Sequence, residues 1–366
     1  MASFDQLQWV GIRLATGAVI TDLPGIELTS DLAVTIGQPE TASLNLHVTK
    51  DVSTSWLDMT QVGGAGLIAW IGDPQSPTIV WGGIVQQRFR PVGANIVALG
   101  LSTVEAYLDG CQIGTYNAVN VNQDAILASL MSFANGTNQL PWVLNHLPNA
   151  STQTQSASYT PSSETSVLAS LQALSAYNGG PEWYASWQWN LAAGTIVPVL
   201  NYGQRVGAAA LNGLPAVTFE STDMLLGSGL NEDYSAGQGA NQIIANGAAN
   251  QSAANSIVPS AVANFPLNGR PQWTLVYRPN QTVSDTAVLA QYVAAAGAGI
   301  QNGAQPLTVV LPYKLPGKQL ARDWNLGDDV GYALTGDAFP DTPSGVRRCI
   351  GYKANLSTIT PILKAS

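Results

Sequence analysis

The stretch IVWGGIVQQRFRPVGANIVALGLSTVEAYL, residues 79–108, decides how the rest of the chain is read. Ile79, Trp81, Gly83, Val85 and Phe89 share one parity, while Gln86, Arg88 and Arg90 share the other. That alternation predicts a strand with one face in a core and one in water. Pro91-Val92-Gly93-Ala94-Asn95 reads as a turn, because Pro presets φ while Gly and Asn tolerate positive φ. The apolar run from Ile96 to Leu101 then returns beside the first strand. Ser102-Thr103-Val104-Glu105 has the S-x-x-E form of a capping box, so a short helix is expected through Ala106-Tyr107-Leu108. The unit is a hairpin that feeds directly into a capped helix.

Toward the N-terminus the same logic continues. Gln8, Val10, Ile12 and Leu14 alternate, as do the runs 31–36 and 43–48, and each run is bounded by Gly, Pro or Asp. His47 shares its parity with Asn45 and Thr49, which makes it a solvent-facing strand residue. The run 67–73 leads by Asp73-Pro74 into the opening stretch. Residues 1–110 therefore form the first β-barrel-like domain.

Past Cys111 the pattern changes. Asn122 is placed to cap a helix that buries Ile126, Leu127, Leu130 and Met131. Residues 148–163 read as a long polar loop, and a second helix opens near Ser162-Ser163-Glu164 to bury Val167, Leu168, Leu171 and Leu174. Asn178-Gly179-Gly180-Pro181 stops it. Trp183, Ala185, Trp187 and Trp189 then fall on one side of a strand that returns through 195–200. The expected cover for this tryptophan stripe is the two helices, since exposed aromatic rows are uncommon without a binding role. Residues 111–212 thus form a small α+β middle domain.

From Val217 the reading is β again, with strands near 239–247, 307–311, 330–334, 346–352 and 358–363. Residues 248–272 read as an extended loop, and Ser284-Asp285 opens a helix with Val288, Leu289, Tyr292 and Val293 on one face. Residues 213–366 form a second β-rich domain with one helix and a long loop. The fold class is mainly β (α+β): two barrel-like β domains flanking a small α+β insert. Trp81, Tyr107, Trp187, Trp324 and Tyr352 are the expected structural anchors of these regions.

Composition limits the chemistry. Of 366 residues only 10% are charged, against a usual ~25%. A formal charge of −9 with scattered basic residues argues against a tightly held nucleic acid. No apolar run is long enough to span a membrane, and no secretory signal is expected at the N-terminus. Cys111 and Cys349 read as buried free thiols. Two histidines and two distant cysteines offer no metal-ligand spacing, so neither a metal nor any other cofactor is expected. Gly237-Gln238-Gly239 lacks the third glycine of a dinucleotide fingerprint and precedes a strand. Glu182 and Glu232-Asp233 could be drawn as a glycosidase carboxylate pair, but solvated carboxylates are the ordinary reading. With no catalytic constellation, a structural or assembly role is expected, not an enzyme.

Trp81-Gly82-Gly83-Ile84-Val85 with its returning strand and Glu105-Ala106-Tyr107-Leu108-Asp109, followed in order by Trp324-Asn325-Leu326-Gly327-Asp328-Asp329-Val330, Phe339-Pro340 and Arg347-Arg348-Cys349-Ile350-Gly351-Tyr352, resembles the tail-tip hub family of long-tailed bacteriophages. That family is related to the baseplate hub of contractile tails. The resemblance implies two similar β-barrels flanking a middle region, and a homotrimeric ring whose six barrels match a hexameric tail tube. It implies as partners the distal tail protein or tail tube protein, the tape-measure protein in the lumen, and downstream tail-tip and receptor-binding proteins. It places the protein in the virion, assembled in the bacterial host cytoplasm, around a channel for exiting DNA. Many relatives continue into peptidase or cell-wall-binding domains, and those activities are not expected of this chain itself. Two other readings stand beside it. One is the distal tail protein of the same tip. The other is a carbohydrate-binding or carbohydrate-hydrolysing protein using Trp183, Trp187 and Trp189.

Overall fold

The computed structural model describes residues 7–48, 56–73, 76–136, 139–176, 179–247, 260–277, 286–301, 303, 307–339 and 341–365. Packing divides the chain into two compact units, Met1–Leu226 with Val309–Ile362, and Gly227–Thr308 with Leu363–Ala365. The protein is mainly β with a few helices.

The first unit opens on a seven-stranded antiparallel sheet in the order Val19–Asp22, Gln8–Arg13, Ala65–Asp73, Ser76–Phe89, Ile96–Thr103, Thr41–His47 and Ile26–Leu28. The hairpin of the opening stretch lies at its centre. Cross-strand register puts Trp9 opposite Ala69 and Ala69 opposite Trp81, and the Trp9 and Trp81 rings meet edge to face at 6.3 Å. Val10 and Ile12, of the other parity, enter a second core together with Ile68 and Trp70. Gln8–Arg13 and Ala65–Asp73 are therefore covered on both faces, which is why their apolar residues run together instead of alternating strictly.

Two local expectations fail for identifiable reasons. A bulge between Val85 and Gln87 inserts one residue, so the alternation resets and Phe89 emerges 67% exposed. Arg88 instead turns inward, donating to the Leu57 and Thr60 carbonyls and the Thr60 hydroxyl. Its guanidinium lies over the Trp56 ring. The helix after the hairpin is a 3-10 turn, Val104–Asp109, and Thr103 makes no side-chain cap. Glu105 folds into the interior instead of reaching back to cap.

The middle segment supplies the helices Gln123–Met131 and Val167–Ser175. Asn122 caps the first, accepting from the N–H groups of Asp124 and Ala125. Ser166 caps the second, which starts later than expected because Glu164 takes a left-handed conformation after the short turn Pro161–Ser163. Residues 148–163 are not all loop: Thr154–Tyr159 pairs antiparallel with Tyr116–Asn122. Their Ser-, Thr- and Asn-rich sequences hide this pair from an apolar-periodicity reading. The helices, Trp183 and the outer face of the first sheet share one core. Glu182–Asn190 pairs with Thr195–Gly203, to which Val143–His146 adds a parallel edge strand.

A C-terminal sheet completes the unit. It runs Thr218–Glu220, Asp329–Ala333, Ser344–Ala354 and Thr358–Ala365, with Leu311–Pro312 paired to the last. Leu32–Thr35 leaves its chain neighbours and joins this sheet antiparallel to Gly351–Ala354. Sheet membership therefore departs from chain order at this one N-terminal strand. Trp324 is fully buried, its ring edge-on to Phe219 and its N–H donated to the Lys318 carbonyl. Cys111 and Cys349 are free, buried thiols.

In the second unit, Gln242–Asn246 is the central strand between Ser260–Asn264 and Thr274–Tyr277. Helix Thr286–Ile300 contributes Leu289 and Val293 to a small core with Ile243, Ala245 and Ala261. Ser260–Asn264 is thus a strand where the sequence suggests loop; residues 248–259, Ser284 and Asp285, and the side chains of Val288 and Tyr292 lie outside the described residues.

Candidate functional site

Chemistry-bearing residues of the first unit gather where the tryptophan strand Glu182–Asn190 meets the strand Ser76–Phe89 and the C-terminal sheet. The stripe does not rest on the helices alone. Trp183 enters the shared core, whereas Trp187 lies against Gly82 and Trp189 meets Trp70 edge to face at 5.5 Å. A Cβ at Gly82 would sit 2.4 Å from Trp187 Nε1 and 2.7 Å from Ile68 Cδ1, so only glycine lets the indole approach the sheet this closely. Trp183 is fully buried, and Trp187 and Trp189 are partly buried and packed against the same core.

The N-terminal end of that strand is held by charge. Arg348 forms a two-pronged ion pair with both Glu182 oxygens and donates to the Val206 carbonyl at 2.8 Å and the Gly327 carbonyl at 3.2 Å. Glu182 also accepts from the Val206 N–H at 2.7 Å. Both carboxylate oxygens are engaged by the fold. Nearby, Asp328 accepts from the Ala208 and Asn325 N–H groups, and Asp329 accepts from Arg205 and the Ala210 N–H. Gly207 and Gly327 have positive φ and touch backbone to backbone; a Cβ at Gly327 would fall 2.1 Å from the Val206 carbonyl oxygen.

Between these ends lies a cleft of about 560 Å³. Trp81, Glu105, Tyr184, Trp187, Tyr313 and Tyr352 line it, with Arg322 and Asp328. Trp81 donates its N–H to the Ala33 carbonyl at 3.0 Å and Tyr352 its hydroxyl to the Val80 carbonyl at 3.4 Å. These two bonds tie the first sheet to the strand Leu32–Thr35 and to Ser344–Ala354. Tyr107 is half-buried against the shared core.

Glu105 is 2% exposed. Its Oε1 accepts from the Ala185 N–H at 3.0 Å, and its Oε2 is buried with no hydrogen-bond partner. Burial pushes its carboxyl up to about 7, against the pull of hydrogen bonds from its own backbone, Thr103 and Ala185, and the Glu40 charge adds to the rise. The Tyr313 phenol is pushed up to about 12 by burial. The Tyr352 phenol is raised further, first by burial and then by its ionisable neighbours Tyr313, Cys349, Tyr184 and Glu105. An acid read in the sequence as a helix cap is thus the one strongly perturbed carboxyl of the cleft. The S-x-x-E pattern pointed to the wrong role, because it fits a capping box equally well.

Elsewhere the described residues form isolated polar contacts. His47 is solvent-facing and bonded to Glu27 at 2.9 Å. His146 is bonded to Asp124 at 2.9 Å and lies edge-on to the Tyr202 ring. Asp233 accepts from the Ser235 N–H at 2.8 Å. Among the described residues no group of three or more His, Cys, Asp or Glu side chains could hold a metal ion.

No protein-family model matches the sequence, and no curated protein does either. Solved structures do match, over the whole length. The 43 kDa tail protein of prophage MuSo2 from Shewanella oneidensis aligns over 98% of each chain, with a TM-score of 0.57 and 12% identity. Prophage tail protein gp18 from Listeria monocytogenes EGD-e aligns over 97% of this chain and 94% of its own, with a TM-score of 0.54 and 10% identity. A tail protein from Neisseria meningitidis MC58 aligns over 99% and 92%, with a TM-score of 0.52 and 12% identity. The chain therefore has the fold of these bacterial and prophage tail proteins.

Proposed function

We propose that this chain is a structural protein of a phage-type tail, the hub of its tip. Three copies close into a ring that adapts a hexameric tail tube to a threefold tip and encloses the channel for the tape-measure protein and DNA. The observation that carries this reading is the full-length likeness to the MuSo2 tail protein, which leaves no part of either fold unaccounted for beyond 2% of each length. Two extended β-sheets in one unit support it, because a subunit with two tube-facing sheets offers six positions from three chains, and closed cyclic rings are the usual way to arrange them. The sparse, net-negative charge suits a channel wall that DNA passes without being held. The anchors Trp81, Tyr107, Trp187, Trp324 and Tyr352 act in this reading as packing residues that keep the two sheets in fixed relation. Its partners are the tube or distal tail protein above, the tape-measure protein inside and the receptor-binding apparatus below.

The mass of the purified protein, by native mass spectrometry, tests the ring. Three chains per particle are expected; six would move the protein to the distal ring of the tail, and a stable monomer at high concentration would count against a self-assembling hub.

A further inference from the structure

The cleft has the ingredients of a cation site rather than of a mere packing gap. Glu105 is buried, sits in the cleft wall, and has one oxygen satisfied and one orphaned. A buried carboxylate oxygen without a donor costs free energy that a bound donor would recover. The wall of the same cleft also carries Trp81, Tyr184, Trp187, Tyr313 and Tyr352, and aromatic faces attract a desolvated cation. The second acid in the wall, Asp328, has both oxygens taken by backbone N–H groups. Glu105 is accordingly the acid of the wall with a carboxylate oxygen lacking a hydrogen-bond partner.

We propose that this cleft binds an organic primary ammonium group, with Glu105 Oε2 as the acceptor and the surrounding aromatic rings as the cage. A primary ammonium fits better than a quaternary one, because the orphaned oxygen needs a hydrogen-bond donor and only the former supplies N–H groups. The alkyl stem of such a cation has apolar wall to lie against, including Val34, Ile71 and Ile79. The group can arrive on a free alkylamine or on a lysine side chain of a partner protein. This site does not depend on the tail-tip reading and holds for any role of the fold.

Binding is coupled to protons. The cation favours the charged form of Glu105, so affinity rises as pH passes upward through about 7. The other ionisable groups facing the cleft are Tyr184, Tyr313 and Tyr352, together with Arg322 and Asp328, and Glu40 acts on Glu105 from the strand end beyond Thr103.

Titration calorimetry on the full chain tests the proposal with n-butylammonium, tetramethylammonium, 1-butanol, butyrate and an acetyl-Gly-Lys-Gly amide. Expected are binding of n-butylammonium or of the lysine peptide at pH 8, affinity about tenfold lower for tetramethylammonium and about tenfold lower at pH 6, each corresponding to roughly 1.4 kcal/mol. Glu105→Gln should lose binding at least tenfold while keeping the wild-type circular dichroism. Should that variant not fold, Tyr313→Ala, in the aromatic wall of the cleft, should weaken n-butylammonium several-fold without changing its pH dependence. Binding of the peptide alone assigns the site to a partner's lysine; binding of both assigns it to the ammonium group itself. Equal binding of 1-butanol, undiminished binding to Glu105→Gln or, should that variant not fold, to Tyr313→Ala, or no binding of either ammonium probe overturns the proposal.

Discussion

The strand Glu182–Asn190 is fastened at its two ends by opposite means. At one end Glu182 is clamped by Arg348, a residue 166 positions away. At the other, Trp187 and Trp189 lie on Gly82 and Trp70 of the first sheet, held by shape alone. The apolar end gains from burial and close packing, and an added atom there forces a neighbour to shift. The charged end gains fixed geometry, since a paired guanidinium and carboxylate accept only a narrow range of orientations. Glu105 fastens the middle by a third means, a buried acid that accepts the Ala185 N–H. One strand thus collects an apolar, an ionic and a protonation-dependent tie, and each responds to a different perturbation.

The largest effect is expected at the tryptophan that joins the first sheet to the strand Leu32–Thr35. Trp81→Ala removes a buried ring and its bond to the Ala33 carbonyl, at a cost of about 3–5 kcal/mol. Urea denaturation reads this directly, and near-wild-type stability would mean that the link from the first sheet to Leu32–Thr35 is dispensable.

Protonation should move the middle tie. Because the folded carboxyl of Glu105 titrates near 7 rather than near 4.5, the folded state holds its proton more tightly than the unfolded chain. The contribution is fully present below pH 4.5 and is lost as pH rises through 7. Relative to Glu105→Gln, the wild-type protein should therefore lose roughly 3 kcal/mol between pH 4.5 and pH 8. Parallel stability curves for the two proteins across that window would show that Glu105 carries no such linkage.

At the charged end, Arg348→Met strands Glu182 without its partner and should cost about 2–3 kcal/mol, less than a fully buried pair because both side chains keep some exposure. The double change Glu182→Gln with Arg348→Met should recover much of this. If the double variant is no better than the single one, the Arg348 contacts to the Val206 and Gly327 carbonyls outweigh the ion pair.

The smallest effect is expected at Gly82→Ala, about 1–2 kcal/mol from the methyl forced against Trp187 and Ile68. Pairing it with Trp187→Phe should give less than the sum of the two losses, because the smaller ring makes room. Strict additivity in a double-mutant cycle would break the claim of a shape-locked contact.

The same contrast explains how far the sequence could be read. The hairpin around residues 91–95, the helix positions Ile126, Leu127, Leu130 and Met131, and the late strands from Asp329 to Ala365 follow local periodicity and turn chemistry, and they stand where those rules put them. Phe89 departs from its local alternation because one bulge residue reverses the face of everything after it. Thr154–Tyr159 and Tyr116–Asn122 carry no apolar alternation, because two polar strands can satisfy each other's backbone with little apolar burial. The Glu182–Arg348 clamp, the Gly207–Gly327 contact and the insertion of Leu32–Thr35 into the C-terminal sheet are long-range events with no local signature. Glu105 is the instructive residue: its local pattern was real, and its role was set by Ala185, which lies 80 positions away.

The central claim is that both sheets of the first unit serve one ring. A reconstruction of an assembled tail tip at side-chain resolution tests it most directly. The account predicts three chains around the axis, with the seven-stranded sheet and the C-terminal sheet alternating at six positions. It also predicts more acidic than basic side chains on the inner wall, with Arg88, Arg90 and Arg347 turned away from it or paired. Six chains each contributing one sheet, or a channel lined by those arginines, would contradict it.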